Sequence, residues 1–377
     1  MNQEPITDPA AGSAQRWRAI AIRTFVSAVI GVSLYFILRE LGFEFVPSKQ
    51  SLAKLDGPLV ALFGVLWLLG TFFRVYRWLH LLRPIQPDIA PLRTFGMGLV
   101  GFAAIFAPLR MGEVARPVMI ARDGKISFFQ ALGTVGAERI VDGLMLTSIA
   151  VLGFWISPVV SPLPKGLGNI SMPYLFVVVP STRGALLAFL SLAIAMVVFY
   201  FWRATAHRIV FRMVALVSKP LATMVTSQVE RISDSLQFLM SRRHGLRFLR
   251  DTSGYWLTTV LAIMVLLQAA GLQAGFWQAC AIIGVMALST TAPGPPGFLG
   301  TFQFGAYCGI ALFFPTQAEA AARFTFVSYC AQLANALLCL LVGLWIVSRH
   351  AAASAQPERR MGGAAATAQQ IAPSTKK

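Results

Sequence analysis

The chain has 377 residues, 56% of them apolar and only 12% charged, with a mean hydropathy of +0.67. A soluble protein of this size has too little interior to hide that much apolar surface, so a soluble enzyme is excluded and a polytopic, all-α membrane protein is expected. The formal net charge is +17, but the cations sit beside hydrophobic runs, which is the pattern of membrane topology and excludes a nucleic-acid partner.

A crossing needs about 20 mostly apolar residues, because a helix rises about 1.5 Å per residue and the hydrocarbon layer is about 30 Å thick. Residues 1–18 are polar and Pro/Ala-rich and read as a disordered terminus. Residues 19–38 make the first span, with Arg23 placed to snorkel. No small-residue cleavage site follows, so an uncleaved helix is preferred to a signal peptide. Residues 58–78 make the second span, ending on Arg74, Arg77 and Trp78. The run 94–107 is short, holds three glycines and stops at Pro108, and reads as half of a broken or re-entrant helix.

The third span is expected at 134–156, with Glu138, Arg139 and Asp142 near its start. Segment 157–182 carries five prolines and an apolar run too short to cross alone; the fourth span is 183–202. Residues 203–253 are basic and partly amphipathic, long enough for interfacial helices. A fifth span, 254–272, precedes a second interrupted pair, 276–292 and 302–314, split by PGPPG at 293–297. The last span is 326–348, and the Ala/Gln/Gly/Pro-rich tail 349–377 reads as disordered, with no further folded domain. One transmembrane domain, 19–348, is therefore expected, with about six full crossings and two broken pairs.

Lysine and arginine set the orientation. Nine lie in 203–253, and further ones in 74–93 and in the tail, whereas 157–182 has only Lys165 and 273–322 has none. With each broken pair returning to the side it came from, both termini are cytoplasmic and the two pairs enter from opposite faces. Eight crossings would instead put the basic 203–253 segment outside. The cysteines at 280, 308, 330 and 339 lie in or beside apolar runs without C-x-x-C spacing, and the four histidines are scattered. Neither a metal site nor a cofactor is expected. No P-loop, H-E-x-x-H or G-x-S-x-G sequence occurs, so no catalytic residue is assigned.

Three clusters carry polar groups into apolar surroundings. In PLRMGEVAR, 108–116, the residues Arg110, Glu113 and Arg116 recur every three positions and share a helix side, after the break at Pro108 and beside Gly112. They read either as an anionic-headgroup contact or as interfacial charges paired among themselves. In AERIVD, Glu138 and Asp142 stack on one face and Arg139 points away. Two such acids want a cation, whether Arg110, Arg116, a cationic substrate or a proton, and a structural salt bridge is the competing reading. In STTAPGPPGFLGTFQ, 289–303, the prolines Pro293, Pro295 and Pro296 break the helix, and Gly297 and Gly300 permit tight turns. Broken backbone at membrane depth survives only against protein or a wet cavity, where Thr291 and Gln303 would offer neutral hydrogen bonds. Two breaks, one in each half, suggest an internal inverted repeat.

Taken in order, PLRMGEVAR, ERIVD at 138–142 and PGPPGFLGTFQ at 293–303 resemble the flippase-like family named for the transmembrane region of lysylphosphatidylglycerol synthase/flippase proteins; RVYRW at 74–78 also fits, and the likeness covers about 20–348. The resemblance implies a bacterial inner-membrane protein whose partner is a phospholipid or another envelope lipid. Some members move aminoacylated phosphatidylglycerol between leaflets, and others are linked to lipids such as hopanoids. Arg110, Glu113 and Arg116 would match the family's first loop, Glu138, Arg139 and Asp142 its charged helix start, and Gly297 and Gly300 its second break. Thr301 and Gln303 depart from relatives that carry an acid soon after the glycines, and synthase activity is not implied. Lipid translocation through a charged intramembrane cavity is thus the expected function. An intramembrane enzyme, an accessory subunit of an envelope-lipid pathway and a small-solute transporter stay open, as does homo-oligomerisation.

Single cysteines at positions 208 and 165, in a background without the native ones, test the orientation: a membrane-impermeant thiol reagent should label 165 in intact cells and spare 208. Labelling of 208 from outside overturns it.

Overall fold

The computed structural model describes residues 25, 29, 32–107, 112–122, 125–216, 218–239, 241–291 and 296–371, with the backbone alone at 239, 296 and 351–371. The first expected span falls largely outside these residues; its described end, 32–40, is helix α1. A short α2 (Lys49–Leu52) leads to α3 (Gly57–Tyr76), which Asp56 caps by accepting from the Leu59 N–H. After the turn at Arg77 comes α4 (Trp78–Leu82). The first broken pair is α5 (Pro91–Ala104) and α6 (Gly112–Ala121). Then follow α7 (Phe128–Ile156), a two-residue hairpin of β1 (Gly166–Leu167) with β2 (Ile170–Ser171), and α8 (Leu175–Phe201). The basic segment folds as α9 (Arg203–Ala215) and α10 (Lys219–Asp234). Next come α11 (Arg242–Ala269), the second broken pair α12 (Phe276–Thr291) and α13 (Thr301–Ala311), and α14 (Ala318–Ile371).

Five stretches are long and apolar enough to cross a membrane among the described residues: 57–82, α7, α8, α11 and Ala318–His350 of α14. The chain is a multi-pass membrane protein. By contrast α5, α6, α12 and α13, at 14, 10, 16 and 11 residues, span about 15–24 Å and fall short of the hydrocarbon thickness. Each pair joins two half-length elements.

The packing repeats between the halves. Helix α3 lies along α11, α5 packs on α14 as α12 packs on α7, and α5 with α6 matches α12 with α13. The contacts α6–α7 and α13–α14 correspond in the same way, as do α3–α5 and α11–α12. Each broken pair is thus clasped by the full-length helix that follows it and by the equivalent helix of the other half. Helix α11 is the most buried crossing and α8 the least, so α11 is central and α8 lies at the periphery.

Several boundaries differ from the sequence expectation. Helix α7 begins at Phe128, not 134, because Ser127 and Gln130 form a capping box. This sets Glu138, Arg139 and Asp142 about three turns inside the helix, not at its start. Helix α8 begins at Leu175 and absorbs the short apolar run, carrying Pro180 within it. Helix α11 starts at Arg242, with Ser241 accepting from the His244 N–H, so its first three turns are charged. The last helix continues to Ile371, through residues whose composition suggests disorder.

The close packing of α7 on α12 depends on Gly153. A Cβ built there would lie 2.6 Å from the Trp277 carbonyl oxygen and 2.7 Å from the Ala281 nitrogen, whereas one on Gly136 meets nothing within 4 Å. Gly153→Ala should therefore cost about 1–3 kcal/mol through overpacking, and Gly136→Ala should be neutral or stabilising by up to about 1 kcal/mol. Thermal unfolding of the two variants in detergent checks the contrast.

Candidate functional site

The second span ends on two arginines three residues apart, Arg74 and Arg77, which share a side of α3 and point into the bundle. Arg77 is fully buried. It grips Asp142 with both fork nitrogens, Nη1 to Oδ1 at 2.5 Å and Nη2 to Oδ2 at 2.6 Å. Nη2 also donates to Glu138 Oε1 at 2.9 Å, and Nη1 reaches Thr252 Oγ1 of α11 at 3.3 Å. Glu138, also fully buried, accepts on its other oxygen from Arg116 Nη1 at 2.9 Å. Arg139 completes the group, 2.7 Å from Glu138 and 3.2 Å from Asp142.

The pairing joins α3, α6 and α7, with α11 closing it from behind through Thr252. Stacked rings line the guanidiniums: Arg116 lies 5.3 Å from the Trp78 ring, and Arg77 lies 5.1 Å from that of Tyr255. Trp78 is itself held by its Nε1–H to Thr134 at 3.1 Å. Isolated charges at this depth cost several kcal/mol each. Here each carboxylate is met by at least two guanidiniums, and the set survives burial because every charge in it is paired.

In front of this network opens a cavity of about 360 Å³. Its charged wall consists of Arg74, Glu113, Arg139 and Asp142. The opposite wall carries Thr290, Thr291, Phe298 and Phe302 from the second break, with Thr259 and Gln332 adding hydrogen-bonding groups. The two breaks touch: the Gly297 N–H donates to the Phe106 carbonyl at 2.9 Å, and the rings of Phe106 and Phe298 meet edge to face at 5.7 Å. Gly297 and Gly300 have φ of +70° and +87°, a backbone that side chains rarely adopt, so glycine is required at this turn.

The expected site residues separate by position. Glu113, Arg139, Asp142 and Thr291 line the cavity. Arg116 and Glu138 lie buried behind it, and Gly112 lets α6 approach α5 so closely that a Cβ would sit 2.0 Å from the Gly101 carbonyl oxygen. Gln303 turns away: its Oε1 accepts from the Gly300 N–H at 2.6 Å and caps α13. Pro108, Arg110, Pro293 and Pro295 lie outside the described residues; Pro296 opens the turn that carries Gly297.

The sequence expectation places Arg74 and Arg77 at the end of the second span and leaves them out of the site. The signal was available in the unbalanced acids of ERIVD and the three-residue spacing of the two arginines. Among the described residues neither Arg74 nor Glu113 makes an ion pair. Arg74 contacts the Tyr255 hydroxyl at 3.2 Å and the Phe102 ring at 5.0 Å. Among the described residues, four guanidiniums, of Arg74, Arg77, Arg116 and Arg139, thus stand against three carboxylates, one positive charge in excess over the network and the cavity wall together.

A family model described as the lysylphosphatidylglycerol synthase TM region matches residues 19–343. The chain belongs to that family. Among curated proteins and among solved structures, none matches it.

Removing Arg77 takes the bidentate partner from Asp142 and one of three guanidiniums from Glu138, so Arg77→Ala should destabilise by about 3–5 kcal/mol. Arg77→Lys should recover only part, since an ammonium cannot match the bidentate geometry. Folded yield and thermal midpoint in detergent, read beside wild type, check both.

Proposed function

We propose, from membership of this lipid-associated membrane family, that the chain moves a phospholipid or related envelope lipid between the leaflets of the bacterial inner membrane. The headgroup would pass through the central cavity while the acyl chains stay in the bilayer. The observation that carries this reading is Arg74, without an ion pair among the described residues, on the wall of an intramembrane cavity.

The barrier to unassisted flipping is dehydration of a charged headgroup. A cavity with one surplus guanidinium lowers it for a phosphate, which arginine binds through its planar fork. Arg74 and Arg139 are the phosphate ligands in this scheme. Glu113 and Asp142 face the same space and would hold a cationic part of the headgroup. Arg77, Arg116 and Glu138 keep the wall rigid so that the exposed charges need no reorganisation. Among the described residues Arg74 is held by the Tyr255 hydroxyl and by the Phe102 and Tyr255 rings, which leaves its fork free to take and release a phosphate. The threonines of the second break supply neutral hydrogen bonds along the route.

Arg74→Gln removes the surplus charge without touching the buried pairs. Loss of one charge-assisted hydrogen bond, about 1.5–3 kcal/mol, should slow translocation of fluorescent phosphatidylglycerol in reconstituted vesicles roughly 10–100-fold. The thermal midpoint should hold near that of wild type. An undiminished rate overturns the reading, and chemical conversion of the lipid in detergent would establish the enzymatic alternative.

A further inference from the structure

A second cavity, of about 740 Å³, opens at the charged end of α11 and shares no lining residue with the first. Its cations are Arg83, just after α4, Arg203 at the start of α9, and Arg243 and Arg247 on α11, with His244 between them. Among the described residues no aspartate or glutamate lines it. Elsewhere in the bundle Arg77, Arg116, Arg139, Arg250 and Arg323 each meet a carboxylate, but none of these four does among the described residues.

The arrangement is electrostatically adverse as it stands. Arg243 and Arg247 are four residues apart and stack on one face, where like charges repel. They also sit in the first two turns of a 28-residue helix with no acidic residue in its first turn, so its positive dipole end adds to theirs. The two other arginines arrive from separate elements and increase the field. Arg203 is oriented by the Tyr200 ring at 5.2 Å, and Pro84 and Pro87 stiffen the wall beside Arg83. A multiply charged anion relieves each of these repulsions at once, and the volume falls in the range of small-ligand sites.

We propose that this arginine-lined cavity is a binding site for a polyphosphorylated anion, separate from the translocation cavity. The shared chemistry is two or more phosphate charges held by several guanidinium forks. A lipid headgroup and a free diphosphate both offer it.

Thermal midpoints distinguish the sources. Detergent-purified full-length protein is titrated with inorganic pyrophosphate, and in parallel placed in phosphatidylcholine nanodiscs with and without cardiolipin. At least one ligand should raise the midpoint, and the R243Q/R247Q double variant should weaken that response by about tenfold or more. Gly136→Ala, which lines neither cavity, should respond as wild type does, and translocation by Arg74→Gln is scored separately, so failure of this site and failure of the translocation reading are separable. A response to pyrophosphate alone assigns a free anion; one to cardiolipin alone assigns a lipid headgroup. Should the double variant fold poorly, the exposed Arg203→Gln replaces it with the same expectation. Equal responses of wild type and variants to both ligands, or an equal loss in Gly136→Ala, overturn the proposal.

Discussion

The paired fork of Arg77 on Asp142, shared with Glu138, is the contact on which the arrangement of the bundle rests. Three helices that are otherwise apolar and free to slide in lipid are given one register by it. In hydrocarbon, greasy faces supply little preference for one rotation over another, since lipid tails are as apolar as leucine. A buried guanidinium has a single low-energy solution, with its donors on carboxylates. The network therefore contributes specificity, and its net contribution to stability is small next to the cost of breaking it.

That register decides what the cavity contains. With Glu138 and part of Asp142 engaged behind the wall, the groups that face inward are Arg74, Glu113 and Arg139. The same residues with an unpaired Glu138 would present no net charge. Buried pairing thus sets the charge that the cavity presents.

The broken helices supply the other requirement, backbone that ends inside the bundle. The Gly297 N–H closes on the Phe106 carbonyl, so one break satisfies part of the other. Gln303 fills the remaining need by capping α13, which explains why a polar side chain stands there without lining the cavity. Neither break is stable by itself; each uses the other half of the chain. The repeated packing of α5 on α14 and α12 on α7 brings them together.

The amino-acid sequence by itself determined the class of protein, the places where helices break and two of the charged clusters, around Glu113 and Glu138, that the bundle brings together. Apolar run lengths, proline and glycine act locally, and their effects are visible in any window of the chain. Helix starts were less legible, because a cap such as Ser127 with Gln130, or Ser241, extends a helix past the end of its apolar run. Which acid meets which arginine was decided only by tertiary structure. Glu138 and Asp142 announced that they need a cation, but 61 residues separate Glu138 from Arg77, and spacing along one helix cannot choose among distant guanidiniums. Nor did the sequence separate Arg74, left facing the cavity, from Arg77, locked behind it. Electrostatic energy depends on distance through space, and only the packed bundle sets those distances.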